Sequence, residues 1–383
     1  MKEDAEMAVP PALDPGLPPF AQLLRRHRSR VGLTQRELAD LSTVSVRAIR
    51  DLEQGRALRP RPDTVRLIAE GLRLGSRARH DLEVAADPDR RTEVDAAAAV
   101  PPTSLTVQVG RELETGGLAA ELADGCRLAT VVGLPGVGKT RFAAAVAGVL
   151  HARMPVLWAG ADGTPLRDPR LAGLVMAWSS AVRAGGRVDD DLAEVIGARS
   201  ALVVLDGVDG PVCGESVLRL LADCPGVRVL ITAPTPCGLA GERVFLLSGL
   251  ESDDAARLLL ADHPGAADPV EVGRLCRALD GLPAALAAVG SWLAVYPLQE
   301  LAATDPACLI DDTLLRSLAG AAEPYRRVLQ ELPPRFGPSA DTGRLLRDLL
   351  QRGLVRPVET ETGRSFTVSP LVRSVLAATP PTP

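Results

Sequence analysis

The chain has 383 residues, with 43 Lys plus Arg against 48 Asp plus Glu, a net charge of −5 and 46% hydrophobic residues. That length gives room for two or three domains at roughly 150 residues each and excludes a minimal scaffold. No apolar run of about 18 residues occurs, which excludes a membrane-spanning helix, and the overall acidity excludes a general polyanion binder.

The charge is unevenly placed. From Phe20 to His80 fourteen arginines stand against six acidic residues, so a nucleic-acid-facing end is joined to an acidic body. Residues 1–19 are proline-rich and are expected to be a disordered tail, without the cationic start of a secretory segment. Helical patterning over 20–87 predicts five short helices, and 88–104 reads as a linker. Over 105–249, apolar runs such as "RLATVVG", "MPVLWAG", "SALVVLDG", "VRVLITA" and "ERVFLLS" alternate with helical stretches, which predicts a parallel sheet covered on both faces. Residues 250–310 read as a helical subdomain, and 311–379 as helices with a hairpin, "LVRPVETETGRSFTVS", and a closing helix, a winged helix. The expected fold class is thus multidomain: an all-α unit, an α/β unit, a helical subdomain and a winged helix.

The six cysteines, Cys126, Cys213, Cys224, Cys237, Cys276 and Cys308, lack ligand spacing. Reduced, mostly buried thiols and a cytoplasmic location are expected. The four histidines show no metal-site spacing, and Trp158, Trp178 and Trp292 are expected in cores.

Within "GLTQRELADLSTVSVRAIRDLEQG", Thr34 caps a helix carrying Leu38, Ala39 and Leu41, a four-residue joint follows, and Ser45 caps a second helix. Ile49 and Leu52 then face inward while Val46, Arg47, Arg50 and Asp51 face outward, toward a major groove in which Arg pairs with guanine. Gln35 is placed to meet a phosphate or base edge. From Phe20 to Leu74 the segment resembles the xenobiotic-response-element and phage-repressor type of helix-turn-helix. It departs at "LSTVS", where that type usually has a glycine, so a differently shaped joint is expected.

"GLPGVGKT" places Gly133, Gly136, Val137, Gly138, Lys139, Thr140 and, one residue on, Arg141 between an apolar strand and a helix, as a phosphate-binding loop requires. Its glycines let backbone N–H groups close on phosphates, Lys139 reaches the β- and γ-phosphates, and Thr140 ligates Mg²⁺. Lys139 is one of only two lysines, with Lys2, in an arginine-rich chain. Arginine cannot replace it as a compact point charge within a closed loop. Asp206 ends an apolar strand and is the second candidate Mg²⁺ group, with Asp209 the nearest candidate to position an attacking water.

The order of "VQVGRELETGGLAAEL", the phosphate loop, "ALVVLDGVDG", "VRVLITAPTP" and "CRALDGLPAALAAVG" resembles NB-ARC ATPases of the STAND class, over about Thr106 to Ala378. By that resemblance Val109, Gly110 and Arg111 lie near adenine and ribose, and Pro283 packs on the base. Two departures weaken switching: Pro234 stands where the family has a γ-phosphate-sensing arginine, and Ser369 where it has a histidine on the ADP β-phosphate. The family's sensing repeats are not found before "ATPPTP", so sensing is expected from a separate protein, from nucleotide alone or not at all, with self-association or a separate sensor protein as the expected partners.

The expected function is a cytosolic bacterial transcriptional regulator that binds double-stranded DNA and is controlled by ATP or ADP with Mg²⁺, with slow or absent hydrolysis. One alternative is a STAND ATPase of a signalling or defence assembly whose N-terminal helices bind protein. Another is a chain that keeps ADP as a permanent structural ligand.

Overall fold

A computed structural model of the chain describes residues 18–57, 60–75, 78–79, 82, 85–86, 109–160, 166, 169–184, 191–197, 199–208, 210, 212, 214–263, 265, 268–333, 335–337, 343–360 and 363–380. Residues 1–17 of the expected tail and the whole expected linker lie outside them, as do Asp209 and Cys213, whereas Pro18 is described and Pro19 already begins the first helix.

The N-terminal unit packs α1 (Pro19–Val31), α2 (Gln35–Ser42), α3 (Val46–Glu53) and α4 (Pro62–Gly71) around Leu24, Leu38, Ile49, Leu52 and Ile68. The expected fifth helix falls mostly outside the described residues, although its Leu82 and Ala86 are buried in this core. Thr34 and Glu37 form a reciprocal capping box at the start of α2, and the bond from the Thr34 N–H holds the Glu37 carboxyl below its ordinary value. Ser45 accepts from Ala48 N at 3.2 Å and starts α3. The joint is three residues, Thr43 to Ser45, rather than four, because α2 continues through Ser42, whose hydroxyl donates to Leu38 O. Thr43 takes the left-handed conformation at φ 56°. The turn therefore keeps a shape that glycine would supply, at a cost of about 1–2 kcal/mol for a residue with a Cβ.

Five strands among the described residues form a parallel sheet in the order β2-β3-β4-β1-β5: β1 Leu128–Val132, β2 Val156–Ala159, β3 Ala201–Leu205, β4 Val227–Thr232 and β5 Arg243–Leu246. In β3, Leu202 and Val204 join one core while Ala201, Val203 and Leu205 join the other. This period-two sharing of side chains between two buried faces is why the strand reads as an unbroken apolar run. At the amino edge of the sheet, Arg127 donates to Leu221 O and Cys224 O, and Arg228 donates to Leu122 O and Ala123 O. Both guanidiniums thereby satisfy carbonyls that helix ends leave without partners.

Among the described residues the helices of this unit are α5 (Glu112–Ala123), α6 (Lys139–His151), α7 (Pro169–Ala184), α8 (Asp191–Ile196) and α9 (Gly214–Asp223). Beyond β5, α10 (Ser252–Leu259), α11 (Pro269–Ala278) and α12 (Pro283–Trp292) pack together, followed by α13 (Leu298–Ala303). The last part has α14 (Asp312–Ala322), α15 (Arg326–Glu331) and α16 (Gly343–Gln351), then the antiparallel hairpin β6 (Val355–Thr360) and β7 (Gly363–Val368), and α17 (Pro370–Ala378), the expected winged-helix order. No helix among the described residues is long and apolar enough to cross a membrane.

Two burial expectations are corrected. Trp158 and Trp178 are core residues, but Trp292 is 42% exposed and lies against the Tyr296 ring. Of the described cysteines only Cys224 and Cys276 are buried, while Cys126 and Cys237 are half-buried and Cys308 is exposed.

Candidate nucleotide and nucleic-acid sites

The phosphate loop follows β1, Asp206 follows β3, and β4 lies between these strands, so Thr232 at its end stands between the two. The site is thus a crevice outside the carboxyl ends of parallel strands. Gly136 and Gly138 take φ of 81° and 97°, and a Cβ on Gly133 would sit 2.5 Å from Leu247 O. Side chains at these positions would be strained or obstructed, which is the physical content of the motif's glycines. Gly138 caps α6 (Lys139–His151), directing the helix's N-terminal N–H groups into the loop. Lys139 Nζ donates to Gly133 O at 2.9 Å and Leu134 O at 3.2 Å, so the ammonium arches over the loop.

Thr140 Oγ1 donates to Asp206 Oδ1 at 2.9 Å, and Thr232 Oγ1 donates to the same oxygen at 2.7 Å. The Thr232 hydroxyl in turn accepts from Gly207 N at 2.8 Å. Asp206 is only 8% exposed, whereas Thr140 is open to solvent. A hydroxyl and a carboxylate meeting at the mouth of a loop without obstructing side chains are hard oxygen donors of the type Mg²⁺ takes, so these residues fit a Mg²⁺-bound nucleoside phosphate.

The other expected nucleotide residues are distributed around this loop. Val137 is buried and Arg141 exposed. Arg111, 6% exposed, donates to Glu114 Oε1 at 2.9 Å and to Ser248 O, so its guanidinium ties the segment after Val109 and Gly110 to the end of the α/β unit. Pro283 is the first residue of α12, and the adjacent Ala284 N–H donates to Gly136 O at 3.1 Å. A Cβ on Gly136 would lie 2.9 Å from Ala284 Cβ and 2.8 Å from Leu314 of α14, so both helical parts touch the tip of the loop. Pro234 follows β4, half-buried.

Ser369 is the N-cap of α17, and its hydroxyl donates to Asp280 Oδ2, which also accepts from Leu371 N at 2.9 Å. Arg356 of β6 lies 2.9 Å from Asp280 Oδ1. Burial raises the Asp280 carboxyl above its ordinary value, opposed by Arg356, Ser369 and the Leu371 N–H. Leu134, Val137, Ser248, Asp280, Arg356 and Ser369 contribute to the walls of a cavity of about 350 Å³ beside the loop. Cys276 also lines it, with a thiol pushed up to about 11 by burial.

In the N-terminal unit, Arg47 is 92% exposed at its side chain and Arg50 is also exposed on α3. Asp51, 31% exposed, lies 3.9 Å from Arg47 and 3.6 Å from Arg56. Val46 is half-buried against the core rather than fully outward. Gln35 donates its amide to Glu53 Oε2 at 2.6 Å. Glu53, 1% exposed, also receives Arg28 Nε at 2.6 Å and Nη2 at 3.1 Å. The Arg28–Glu53–Gln35 group was not expected from the motif, nor were Thr232 and Asp280 as partners of Asp206 and Ser369. For Thr232 the only signal is a hydroxyl ending an apolar strand, and for Glu53 an acid at an inward helix position.

Residues 19–82 match a protein family described as helix-turn-helix domain. The chain is 34% identical over 178 residues to "Putative HTH-type transcriptional regulator Rv0890c" of Mycobacterium tuberculosis, a match covering 42% of this chain and 19% of that protein. It is 34% identical over 197 residues to "Uncharacterized protein Rv0894" of the same organism, covering 48% of this chain and 49% of the relative. The matches thus span half or less of these relatives' own lengths. Solved structures with a partial likeness include a STAND protein with a tetratricopeptide repeat sensor from Pyrococcus horikoshii, at 17% identity and TM-score 0.37 over 74% of this chain and 44% of that one. Another is a Walker-type ATPase of Pyrococcus abyssi, at 16% identity and TM-score 0.45 over 72% and 99%. These overall likenesses are low, and the reading of the second unit rests on its strand order and loop geometry. The chain joins a helix-turn-helix domain to a P-loop α/β unit that is followed by helices and a winged hairpin.

Proposed function

We propose that the protein is a transcriptional regulator that binds double-stranded DNA through α3 and holds ATP or ADP with Mg²⁺ in its phosphate loop, the nucleotide setting DNA occupancy. The observation that carries the nucleotide half is the meeting of Thr140 and Asp206 at 2.9 Å beside the glycine loop. Arg47 and Arg50, exposed on a capped helix in an arginine-rich unit, support the DNA half.

In this reading the loop N–H groups and Lys139 bind phosphate oxygens, while Arg111 and Pro283 border the nucleoside. Thr140 and Asp206 hold Mg²⁺, which would neutralise phosphate charge there. A change in the phosphates would alter the fit of Gly136 against Ala284 and Leu314, and so the way the helical parts are held. Pro234 has neither charge nor N–H to sense a γ-phosphate, and the Ser369 hydroxyl is committed to Asp280. Both favour a holding switch with slow or absent hydrolysis, in the manner of an NB-ARC domain that departs from its family at two sensing positions.

Calorimetry on the nucleotide-stripped chain tests the site. Lys139→Ala should abolish measurable ATP and ADP binding, and retained affinity would overturn the assignment. Rapid ATP turnover by a chain that selects no DNA site would instead favour an ATPase of a signalling assembly.

A further inference from the structure

Arg183 stands in the last turn of α7 (Pro169–Ala184), a helix that packs on β2 and is separate from the glycine loop. Its guanidinium reaches the carboxyl ends of two strands. Nη1 donates to Gly207 O at 2.6 Å, and Nη2 donates to Asp206 O at 2.8 Å and to Ala159 O at 3.4 Å. Nε donates to the hydroxyl of Ser179, one turn earlier and 1% exposed, at 3.2 Å. A planar fork anchored at its base and spread over neighbouring carbonyls is a geometry that lysine cannot reproduce.

The peptide it grips is the one that carries Asp206 into the turn. Gly207 has φ 70°, a left-handed turn without a Cβ to brace it. It is instead held from both sides: its N–H by Thr232 Oγ1 at 2.8 Å, its C=O by Arg183. Val208 N donates to Thr232 O at 2.9 Å and closes the frame. The Thr232 hydroxyl and the Arg183 fork thus act on opposite ends of the same residue, one directly on the Asp206 carboxylate and the other through its backbone. An arginine that merely capped its own helix would bond carbonyls of that helix. These carbonyls belong to the end of β2 and to the turn after β3.

The geometry points to Arg183 as a positioning residue for Mg²⁺-dependent nucleotide binding: by fixing the Asp206–Gly207 peptide it keeps the Asp206 carboxylate turned toward Thr140. This rests on the reading that Asp206 takes the metal. Groups behind a metal ligand, without touching the metal, typically change metal affinity by about tenfold or more when removed.

The test uses the full chain, stripped of nucleotide, with ATP affinity measured by calorimetry in Mg²⁺ and in EDTA, beside the thermal midpoint. Arg183→Met should lose about tenfold in affinity in Mg²⁺ and change little in EDTA, and Arg183→Lys, which keeps one or two donors, should recover part of the loss. A loss equal in Mg²⁺ and EDTA, or no loss, in a variant whose midpoint shows it folded would overturn the role. If Arg183→Met does not fold, the outcome rests on Arg183→Lys, which must show the same selective loss at smaller size. Asp206→Asn separates the two claims. If it keeps the Mg²⁺ effect, the metal reading fails and this one with it; if it removes the effect while Arg183→Met does not, only the positioning role fails.

Discussion

The Thr140 hydroxyl and the Asp206 carboxylate, 66 positions apart in sequence, are joined by a hydrogen bond of 2.9 Å, and Thr232 donates to the same carboxylate oxygen from the strand between them. The first turn of α6 and the end of β4 therefore converge on one oxygen of the carboxylate that follows β3. Thr232→Val keeps the shape but leaves the Gly207 N–H and Asp206 without this partner. Unmaking such a buried bond costs about 1–3 kcal/mol, and the variant should show a lower thermal midpoint together with weaker Mg²⁺-dependent nucleotide binding. An unchanged Mg²⁺ dependence would leave Thr232 a purely structural residue.

The loop glycines differ in what they avoid. Gly136→Ala meets Leu314 and Ala284 at 2.8 and 2.9 Å and is strained at φ 81°, whereas Gly138→Ala is strained at φ 97° with nothing within 4 Å. Each should cost about 1–3 kcal/mol from backbone strain. Only Gly136→Ala should also loosen the packing against α12 and α14, seen as faster limited proteolysis after β5. Equal proteolysis of the two variants would contradict that coupling.

Arg28→Ala leaves Glu53 buried without its cation. Breaking a buried pair costs about 3–5 kcal/mol, and because Arg28 is 18% exposed the lower end is expected. Calorimetric unfolding of the full chain should show the N-terminal transition shifted down. Replacing both partners, Arg28→Met with Glu53→Leu, should recover much of that loss, since no orphaned charge remains.

Asp280 gives a pH dependence. Its folded-state value is raised, mainly by burial, so its contribution to stability is present below the ordinary carboxylate range and is lost as pH rises through the raised value. The midpoint of the native chain relative to Asp280→Asn should therefore be most favourable in acid and decline toward neutral pH. A difference that grew with pH would mean that Arg356 and Ser369 outweigh desolvation.

The parallel sheet was legible because β3 and its neighbours are buried on both faces, and a run such as "ALVVL" admits few other readings. The loop was legible for the same reason as any short motif: its chemistry lies within eight consecutive residues. What stayed hidden depends on tertiary approach. Ser369 meets Asp280 across 89 positions, and nothing local marks either partner. Thr43 shows the opposite limit, since the absence of glycine predicted an altered joint, yet packing of α2 against α3 imposes the left-handed turn on threonine. Residue type alone places Trp292 in a core, whereas its helix end is open to solvent.

Arg47 and Arg50 carry the DNA prediction. In a shift assay each Arg→Ala change should weaken binding. Where the arginine neutralises a phosphate, its removal should make the slope of log affinity against log salt shallower by about 0.9. A change confined to one base position, with the slope intact, would show that the arginine reads a base edge instead.

In the proposed function, nucleotide in the phosphate loop governs DNA binding. The most direct measurement is the operator affinity of the full chain loaded with ADP and with a non-hydrolysable ATP analogue, beside Lys139→Ala under the same two conditions. Different affinities are expected for the two loaded states of the native chain, and one affinity, indifferent to added nucleotide, for the variant. Equal affinity in both native states, with nucleotide shown to be bound, would contradict that control.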